Sequence, residues 1–295
     1  MKKTSIILII IGLVLLVASL VVAEITKTSM LESWKSYSQE NYSKTEKSID
    51  STDIKKITLK STNDQVKVVS SEAKEPIKIE YYISDNVSFD IDVVDGELII
   101  NKQDKLKWQW FSFGFWFDQS VVLYIPSDTE FSYYLKTSNG SIEVSDINTK
   151  KLQVLTSNGL IGLNNITAGG EVLIETSNAK IDIQGLIAKG LDVSTGNGLI
   201  SLENVSVDQV KAETSNGKIE FKSLKSDDIN IGTSNGWVGG SIIGQVDDYR
   251  KDIKTSNGSI SINDIEYGKL IDPGNGTKTL KVTASNAVIK IDFVD

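Results

Sequence analysis

The stretch Thr156-Ser-Asn-Gly-Leu-Ile-Gly-Leu163 is one copy of a motif that recurs through the second half of this 295-residue chain. The tetrapeptide Thr-Ser-Asn-Gly begins at Thr137, Thr156, Thr214, Thr233 and Thr255, and near-copies begin at Thr176, Thr195 and Ala284. Successive copies are 19, 20, 19, 19, 19, 22 and 29 residues apart. A period this regular indicates a repeat architecture.

Apolar residues keep a fixed phase with the motif on both of its sides. After Gly159 the apolar residues are Ile161 and Leu163, and before Thr156 they are Leu152 and Val154. Alternation with period two predicts a short strand with one buried face on each side of the Ser-Asn-Gly corner. Because one such unit cannot bury its apolar face alone, we predict an all-β, β-solenoid-like stack of roughly 20-residue coils about 4.8 Å apart.

Stacking would place equivalent corner residues directly above one another. The predicted structural Asn ladder consists of Asn139, Asn158, Asn178, Asn197, Asn216, Asn235 and Asn257. Ala179 and Ala287 take the place of Gly in two copies, and Ala tolerates a positive φ poorly whereas Asn tolerates it well. We therefore assign the left-handed conformation to Asn and a close-packing role to the Gly or Ala.

A different architecture is compatible with the same tetrapeptide. Asn-Gly between apolar strands is also a strong hairpin signal, and eight hairpins would give an antiparallel meander or sandwich. The constant phase of the repeat favours the stack. The region 54–136 is predicted to contain irregular strands, with a hairpin turn at Asp95-Gly96.

The N-terminus carries the signals of a membrane segment. Thr4 to Ala23 is a 20-residue apolar stretch without charge, long enough to span a bilayer, and it follows Lys2 and Lys3. We predict a cytoplasmic tip at 1–3, a transmembrane anchor at 4–23 and an extracytoplasmic remainder. The alternative is a signal peptide cleaved near Ala23, which would release a secreted protein.

Beyond the anchor the chain divides into three parts. Residues 24–53 are rich in polar residues and are predicted to be a stalk. Residues 54–136 form the irregular N-terminal β region, and 137–295 form the regular β-repeat region. We expect 54–295 to be one continuous domain.

The segment from Lys107 to Phe117 holds seven aromatic residues in eleven positions. They are Trp108, Trp110, Phe111, Phe113, Phe115, Trp116 and Phe117. Exposed, they would form a candidate interaction patch for a membrane, a glycan or a protein. The alternative is that they cover the open end of the stack.

Composition excludes several kinds of chemistry. The chain has no Cys and no His, so it has no thiolate, no Cys-ligated zinc and no imidazole base. Its net charge of −8 opposes nucleic-acid binding. Paired carboxylates can hydrolyse glycosides, and the nearest pairs are Asp182 with Asp192 and Asp227 with Asp228. Acidic residues are expected on any solvated sheet, however, so we predict no catalytic residue, no metal and no cofactor.

The repeated Thr-Ser-Asn-Gly-x-Ile-x-Ile unit behind one N-terminal membrane segment resembles the toast-rack, or "putative adhesin", β-repeat family. The resemblance runs from Ile54 to Asp295, and the organisation is similar to that of LiaG-type envelope proteins of Gram-positive bacteria. It implies a binding or sensory module in the cell-envelope stress response, with other envelope or membrane proteins as partners. The alternatives are a structural or adhesive surface protein and a carbohydrate-active enzyme on a β-helix scaffold.

Overall fold

The computed structural model describes residues 41–105, 120–269, 271 and 273–295. The described residues contain 22 strands and one 3₁₀ turn, Val246–Asp248, and they contain no α-helix. The predicted all-β class is confirmed. The first eleven strands are β1 Ser43–Ile49, β2 Lys56–Lys60, β3 Gln65–Ser71, β4 Ile77–Ile83, β5 Val87–Val94, β6 Glu97–Asp104, β7 Ser120–Pro126, β8 Phe131–Lys136, β9 Ile142–Ser145, β10 Asn148–Leu155 and β11 Ile161–Ala168. The others are β12 Glu171–Thr176, β13 Ile181–Thr195, β14 Ile200–Thr214, β15 Ile219–Leu224, β16 Asp228–Asn235, β17 Val238–Ile243, β18 Tyr249–Thr255, β19 Ile260–Ile262, β20 Ile265–Tyr267, β21 Lys278–Asn286 and β22 Ile289–Val294.

The strands form two faces joined at the Thr-Ser-Asn corner. Strands that run into the corner make the leading sheet, in the spatial order β5, β6, β2, β8, β10, β12, β13, β14, β16, β21, β18. Strands that leave it make the trailing sheet, in the order β1, β4, β7, β3, β9, β11, β13, β14, β15, β17, β22, β19, β20. The long strands β13 and β14 contribute to both sheets because each continues past the second corner of its coil.

The coils stack in parallel, with equivalent residues in register. Ile181 pairs with Ile200, and Leu191 pairs with Val210, one coil further on. The hairpin alternative is therefore wrong for the repeats, and the solenoid-like stack is confirmed. Ten coils stack in this way, which makes the rod roughly 43 Å long at about 4.8 Å per step. Side chains that alternate inwards from the two sheets form one continuous apolar core.

The order of the coils in space departs from their order in sequence at both ends. The coil of β2 and β3 lies between the coil of β6 and β7 and the coil of β8 and β9. At the other end, β21 and β22 lie between the coil of β16 and β17 and the coil of β18 and β19. We name the end formed by β6 and β7 the proximal end and the end formed by β18 and β19 the distal end.

Antiparallel strands close the proximal end. The hairpin of β5 and β6 turns at Asp95-Gly96, as predicted, and both residues have positive φ (50° and 77°). Strand β4 pairs with β7, and β1 pairs with the outer edge of β4. The stalk prediction for 24–53 is therefore wrong for Ser43–Ile49. This edge strand is polar on both faces, so it has no apolar period that the sequence could reveal.

The distal end is covered by β20 and by the chain that follows it. Strand β20 pairs antiparallel with β19. Beyond it, Lys269 and Pro273 accept hydrogen bonds from the backbone of β18, and Ile271 is buried. The open end of the core thus meets chain rather than solvent along much of β18.

In the part of the chain that the structure describes, no helix is long and apolar enough to cross a bilayer. The predicted anchor, Thr4 to Ala23, lies outside the described residues.

Candidate functional site

The corner asparagines form one continuous row of side-chain hydrogen bonds along the stack. Asn158 donates from Nδ2 to Oδ1 of Asn139 at 2.8 Å, and Asn178 donates to Asn158 at 2.7 Å. From the proximal end the row runs through Asn63, Asn139, Asn158, Asn178, Asn197, Asn216, Asn235, Asn286 and Asn257. Every bond has the same direction, so the amides polarise one another along the row.

The row contains two asparagines that the sequence reasoning left out. Asn286, from the near-copy Ala284-Ser-Asn-Ala287, lies between Asn235 and Asn257 because the last segment of the chain is inserted one coil before the end. Asn257 and Asn235 are therefore not neighbours. Asn63 continues the row at the proximal end, from the degenerate motif Ser61-Thr62-Asn63-Asp64. The irregular motifs were visible in the sequence, but their positions in the stack were not.

A buried Thr holds each corner from inside. Thr156 Oγ1 accepts a hydrogen bond from the backbone N–H of Gly159 at 3.2 Å and donates to the carbonyl oxygen of Gly140, in the previous coil, at 3.3 Å. The bond from the Gly N–H recurs at Thr137, Thr195 and Thr214. One hydroxyl thus closes its own corner and binds it to its neighbour, which satisfies polar groups that would otherwise be buried unpaired.

The corner Gly is required by close packing. An ideal Cβ placed on Gly159 would lie 1.7 Å from the carbonyl oxygen of Gly140, and one on Gly217 would lie 1.7 Å from that of Gly198. The predicted close-packing role of Gly is confirmed. The prediction that the corner Asn is left-handed is wrong, since none of the row asparagines has a positive φ.

Left-handed residues occupy the second corner of five consecutive coils, six residues after the corner Gly or Ala. They are Asp146, Asn165, Gly185, Asn204 and Ser223, with φ between 53° and 72°. Asn165 Nδ2 donates to Asp146 Oδ1 at 2.8 Å, which joins two of these corners. The sequence signal for this corner is the residue at a constant spacing of six after the corner Gly or Ala, which is Asp, Asn, Gly or Ser.

An open groove of about 890 Å³ lies on the outer face of the leading sheet, beside the Asn row. It forms because small residues of neighbouring coils meet there: Ser194, Gly196, Gly232 and Thr283. Gly232 pairs with Glu213 on one side and with Thr283 on the other. A second cavity of about 310 Å³ shares Ser177 and Ser194 with it, so the depression extends from β8 to β21.

Charged side chains of both signs lie in and beside the groove: Glu213 and Lys281 line it, and Lys211 and Asp192 lie close to Glu213. Lys211 Nζ lies 2.8 Å from Glu213 Oε2 and 3.9 Å from Asp192 Oδ1. The hydrogen bond from Lys211 to Glu213 raises the pKa of the lysine, so its ammonium group stays charged at neutral pH. All three side chains are about half exposed, so these pairs contribute little to stability and are free to exchange partners with a bound molecule.

The candidate aromatic patch, from Trp108 to Phe117, lies outside the described residues. The strands on either side of it, β6 and β7, belong to the outermost proximal coil. Near the end of β6, Lys102 is buried and donates to Asp64 Oδ1 at 2.9 Å, and it lies 3.6 Å from Asp104 Oδ1. This buried ion pair joins the outermost coil to the next one, at the position where the regular repeats carry Gly.

The carboxylate pairs considered for glycoside hydrolysis do not form a catalytic arrangement. Asp182 lies on the trailing sheet and Asp192 on the leading sheet, so they face opposite sides of the stack. Asp182 accepts a hydrogen bond from Lys180, and Asp227 lies 3.1 Å from Lys278. Within 41–105, 120–269, 271 and 273–295, no group of three acidic side chains has the geometry of a metal site.

Comparison with known proteins agrees with this architecture. The family model described as Toastrack DUF4097 matches residues 54–292. No curated protein is significantly similar to the chain in sequence.

Solved structures with a similar fold include a "putative lipid binding protein" from Parabacteroides distasonis ATCC 8503. It is 13% identical, with a TM-score of 0.50, over 86% of this chain and 97% of that one. A "putative adhesin" from Bacteroides fragilis NCTC 9343 is 12% identical, with a TM-score of 0.46, over 86% and 97%. At 13% identity, the Parabacteroides distasonis structure shows a shared fold and nothing about a ligand.

Proposed function

Because the chain belongs to the Toastrack DUF4097 family, we propose that it is a non-enzymatic binding module anchored in the membrane and exposed beyond it, with its ligand in the groove of the leading sheet. The groove itself carries this proposal. It is an open depression with polar walls on a rigid stack, and its floor consists of small side chains. A preformed surface of this kind orders few groups on binding, so little of the interaction energy is lost.

The walls define the chemistry of the ligand. Hydroxyl groups line the groove at Ser177, Ser194 and Ser215, and an amide and a carboxylate line it at Asn230 and Glu213. Burying these groups against an apolar molecule would leave them without hydrogen-bond partners, which is unfavourable. A ligand with its own donors and acceptors would replace the lost water contacts. The groove therefore suits a polar molecule.

The shape of the groove selects for length. It crosses seven coils from β8 to β21, which at about 4.8 Å per step is roughly 29 Å. An extended polymer can use this length, and a compact metabolite cannot. The ligand that fits both shape and chemistry is an extended polar chain, such as a polysaccharide or a polar peptide of the cell envelope.

The predicted anchor supports a role close to the membrane. Residues 24–42 separate Ala23 from β1 and could extend at most roughly 65 Å. A module held at this distance samples the outer face of the membrane and the inner layers of the envelope. The sensory role in envelope stress that the family resemblance implies is part of this proposal, with other membrane proteins as the receivers of the signal.

Two glycine substitutions test the groove. Gly232→Gln fills the floor, and the fold should tolerate it because an ideal Cβ there lies 3.7 Å from the Glu213 side chain. Gly162→Gln is the matched control on the outer face of the trailing sheet, where the ideal Cβ lies 3.8 Å from the Glu143 side chain. Binding of the full chain to purified envelope polysaccharide and to envelope peptides would be measured for both variants.

We expect Gly232→Gln to weaken binding at least about tenfold. A side chain of this size occupies space that the ligand would fill, and the loss of the ligand's contacts there corresponds to about 1.4 kcal/mol or more of binding free energy. Gly162→Gln should bind as the unaltered chain does. Equal binding by both variants would refute the groove as the ligand site. Binding that is lost instead in a Trp110→Ser, Trp116→Ser double variant would assign it to the aromatic segment.

A further inference from the structure

We propose that Asn257-Gly258, at the distal end of the Asn row, is a site of spontaneous deamidation in the folded protein, and that stacking protects the other Asn-Gly pairs of the row. Deamidation at this site is independent of any ligand in the groove. It follows from the chemistry of the dipeptide and from the different surroundings of its copies.

The reaction needs only the chain and water. The backbone nitrogen of Gly loses its proton and attacks the side-chain carbonyl carbon of the preceding Asn, forming a ring C–N bond. The C–N bond of the side-chain amide then breaks, and ammonia leaves. Water opens the resulting succinimide at either carbonyl, giving aspartate or isoaspartate. Gly favours this attack because it has no side chain to hinder the approach and few conformational restrictions.

The sequence provides its own internal control. Asn139, Asn158, Asn216, Asn235 and Asn257 all lie in the same tetrapeptide, Thr-Ser-Asn-Gly. Their neighbours on both sides are identical, so in the unfolded chain we expect nearly equal rates. Any difference between these sites in the folded protein must then come from the structure.

Interior corners restrain every group that the reaction moves. In the corner that contains Asn216, the attacking N–H of Gly217 donates to Thr214 Oγ1 at 3.1 Å, and Gly217 itself is buried. Asn216 Nδ2 donates to Asn197 Oδ1, and its own Oδ1 accepts from Asn235. Attack would require this corner to open between two stacked coils. In the corners of Asn139 and Asn158, the Gly N–H likewise donates to the Thr Oγ1.

The distal corner lacks these restraints. Gly258 is exposed, and Thr255 Oγ1 donates to the carbonyl oxygen of Ala287 at 3.0 Å. Among the described residues, no hydrogen bond joins Gly258 N–H to Thr255, and no further coil covers the corner. Asn257 Nδ2 donates to Asn286, but its Oδ1 accepts no side-chain hydrogen bond from a following coil. The attacking nitrogen and the carbon it attacks are both more accessible here than in the interior.

Asn235 should behave in an intermediate way. Gly236 is half-buried, and its N–H has no bond to Thr233 in the described residues, yet Asn286 and the last coil cover the corner. The expected order of rates is therefore Asn257, then Asn235, then the three interior sites. Two further Asn-Gly pairs have different neighbours: Asn197-Gly198, in the near-copy that begins at Thr195, and Asn275-Gly276, in a loop outside the row.

Reaction at Asn257 would remove the last bond of the row. Aspartate has no N–H to donate to Asn286 Oδ1, and two oxygens would face each other across the corner. Isoaspartate would in addition lengthen the backbone of the corner by one carbon. Because only one coil lies beyond Asn286, we expect the damage to stay at the distal end while the rest of the stack remains intact.

The test is peptide mapping by mass spectrometry of the full chain, aged at mildly alkaline pH in its folded form and, in parallel, in urea. In the folded chain we expect Asn257 to deamidate at least about fivefold faster than Asn216, which corresponds to the loss of one hydrogen bond at the attacking nitrogen. In urea the five identical sites should react at similar rates. Equal rates at Asn257 and Asn216 in the folded chain would overturn the proposal.

Thr214→Val distinguishes protection by the hydrogen bond from Gly217 N–H to Thr214 Oγ1 from protection by burial of the corner. The substitution removes the acceptor for Gly217 N–H and keeps the size of the side chain. We expect deamidation at Asn216 to rise about fivefold, with Asn158 unchanged as the sign that the stack is intact. No change at Asn216 would show that the Thr hydroxyl does not control the reaction.

Discussion

The close approach of consecutive corners can be tested with a matched pair of glycines, Gly217 and Gly232. Both have ordinary φ values, and they lie in neighbouring coils, Gly217 at the corner after β14 and Gly232 within β16. An ideal Cβ on Gly217 would lie 1.7 Å from the carbonyl oxygen of Gly198, whereas one on Gly232 would lie 3.7 Å from its nearest neighbour, in Glu213. Alanine is therefore impossible at the first position without movement, and it fits at the second.

The size of the effect follows from the bonds at the corner. To admit a methyl group, the corner must move outwards by more than about 1 Å, since carbon atoms pack at about 3.5–4.0 Å. This movement breaks the Gly217 N–H bond to Thr214 and weakens the Asn216 N–H bond to Gly196 O, each worth about 1 kcal/mol. The smaller entropy of unfolded alanine offsets about 0.5 kcal/mol of this loss. We expect Gly217→Ala to cost about 1.5 kcal/mol.

Gly232→Ala should instead stabilise the protein by about 0.5 kcal/mol, because alanine restricts the unfolded chain and suits a strand better. Urea unfolding of both variants, with an unchanged m value, gives the comparison. Gly217→Ala should still fold, since Ala179 occupies the same position in a corner where no bond from residue 179 N–H to Thr176 is formed. Equal urea midpoints for the two variants would refute the argument from close packing.

Three further outcomes are expected. The pKa of Glu80 is lowered to about 2 because Lys78 and Lys44 donate hydrogen bonds to it. The ionised Glu80 therefore stabilises the folded protein fully above pH 4.5, the ordinary pKa, and this stabilisation is lost as the pH falls towards 2. Glu80→Gln should reduce the acid-induced loss of stability by about 1–2 kcal/mol. An unchanged dependence of stability on pH would contradict this. Lys102→Met leaves the Asp64 carboxylate buried without its cation and should lower the free energy of unfolding by about 3 kcal/mol. Lys222→Met removes one partner of an exposed pair and should lower it by less than about 1 kcal/mol. Equal urea midpoints for the two variants would contradict this ranking. Deletion of 4–23 should release the chain from the membrane fraction, and a mature N-terminus near Glu24 in the unaltered protein would favour cleavage instead.

The regular part of the fold was predictable because each repeat carries two independent sequence signals. Period-two alternation marks the strands, and the constant spacing of Thr-Ser-Asn-Gly marks their stacking. The role of Gly159 followed from Ala179 at the same position, because a residue that tolerates Ala cannot depend on a positive φ. The left-handed conformation predicted for the corner Asn is found instead at Asn165 and its equivalents, at the second corner.

The groove and the ends were not predictable from the sequence. That Gly232 and Ser194 line one depression becomes apparent only when the register of the coils and the side of the sheet are both known. The spacings of 22 and 29 residues mark the C-terminal end as irregular, but they do not show that the last segment is inserted into the stack rather than added to its end. Strand β1 pairs through its backbone, and backbone pairing has no side-chain signature at a polar edge.

The insertion of the final segment has a consequence for how the protein matures. Strands β21 and β22 are the foundation on which β18 and β19 rest, yet they are synthesised after them. A polypeptide that leaves the ribosome or an export channel with its N-terminus first can complete its interior coils one by one. It must hold the 249–262 coil unattached until β21 and β22, residues 278–294, have arrived. Completion of the distal end therefore waits for β21 and β22, and a chain that stops before them lacks the support of β18 and β19 as well as these two strands.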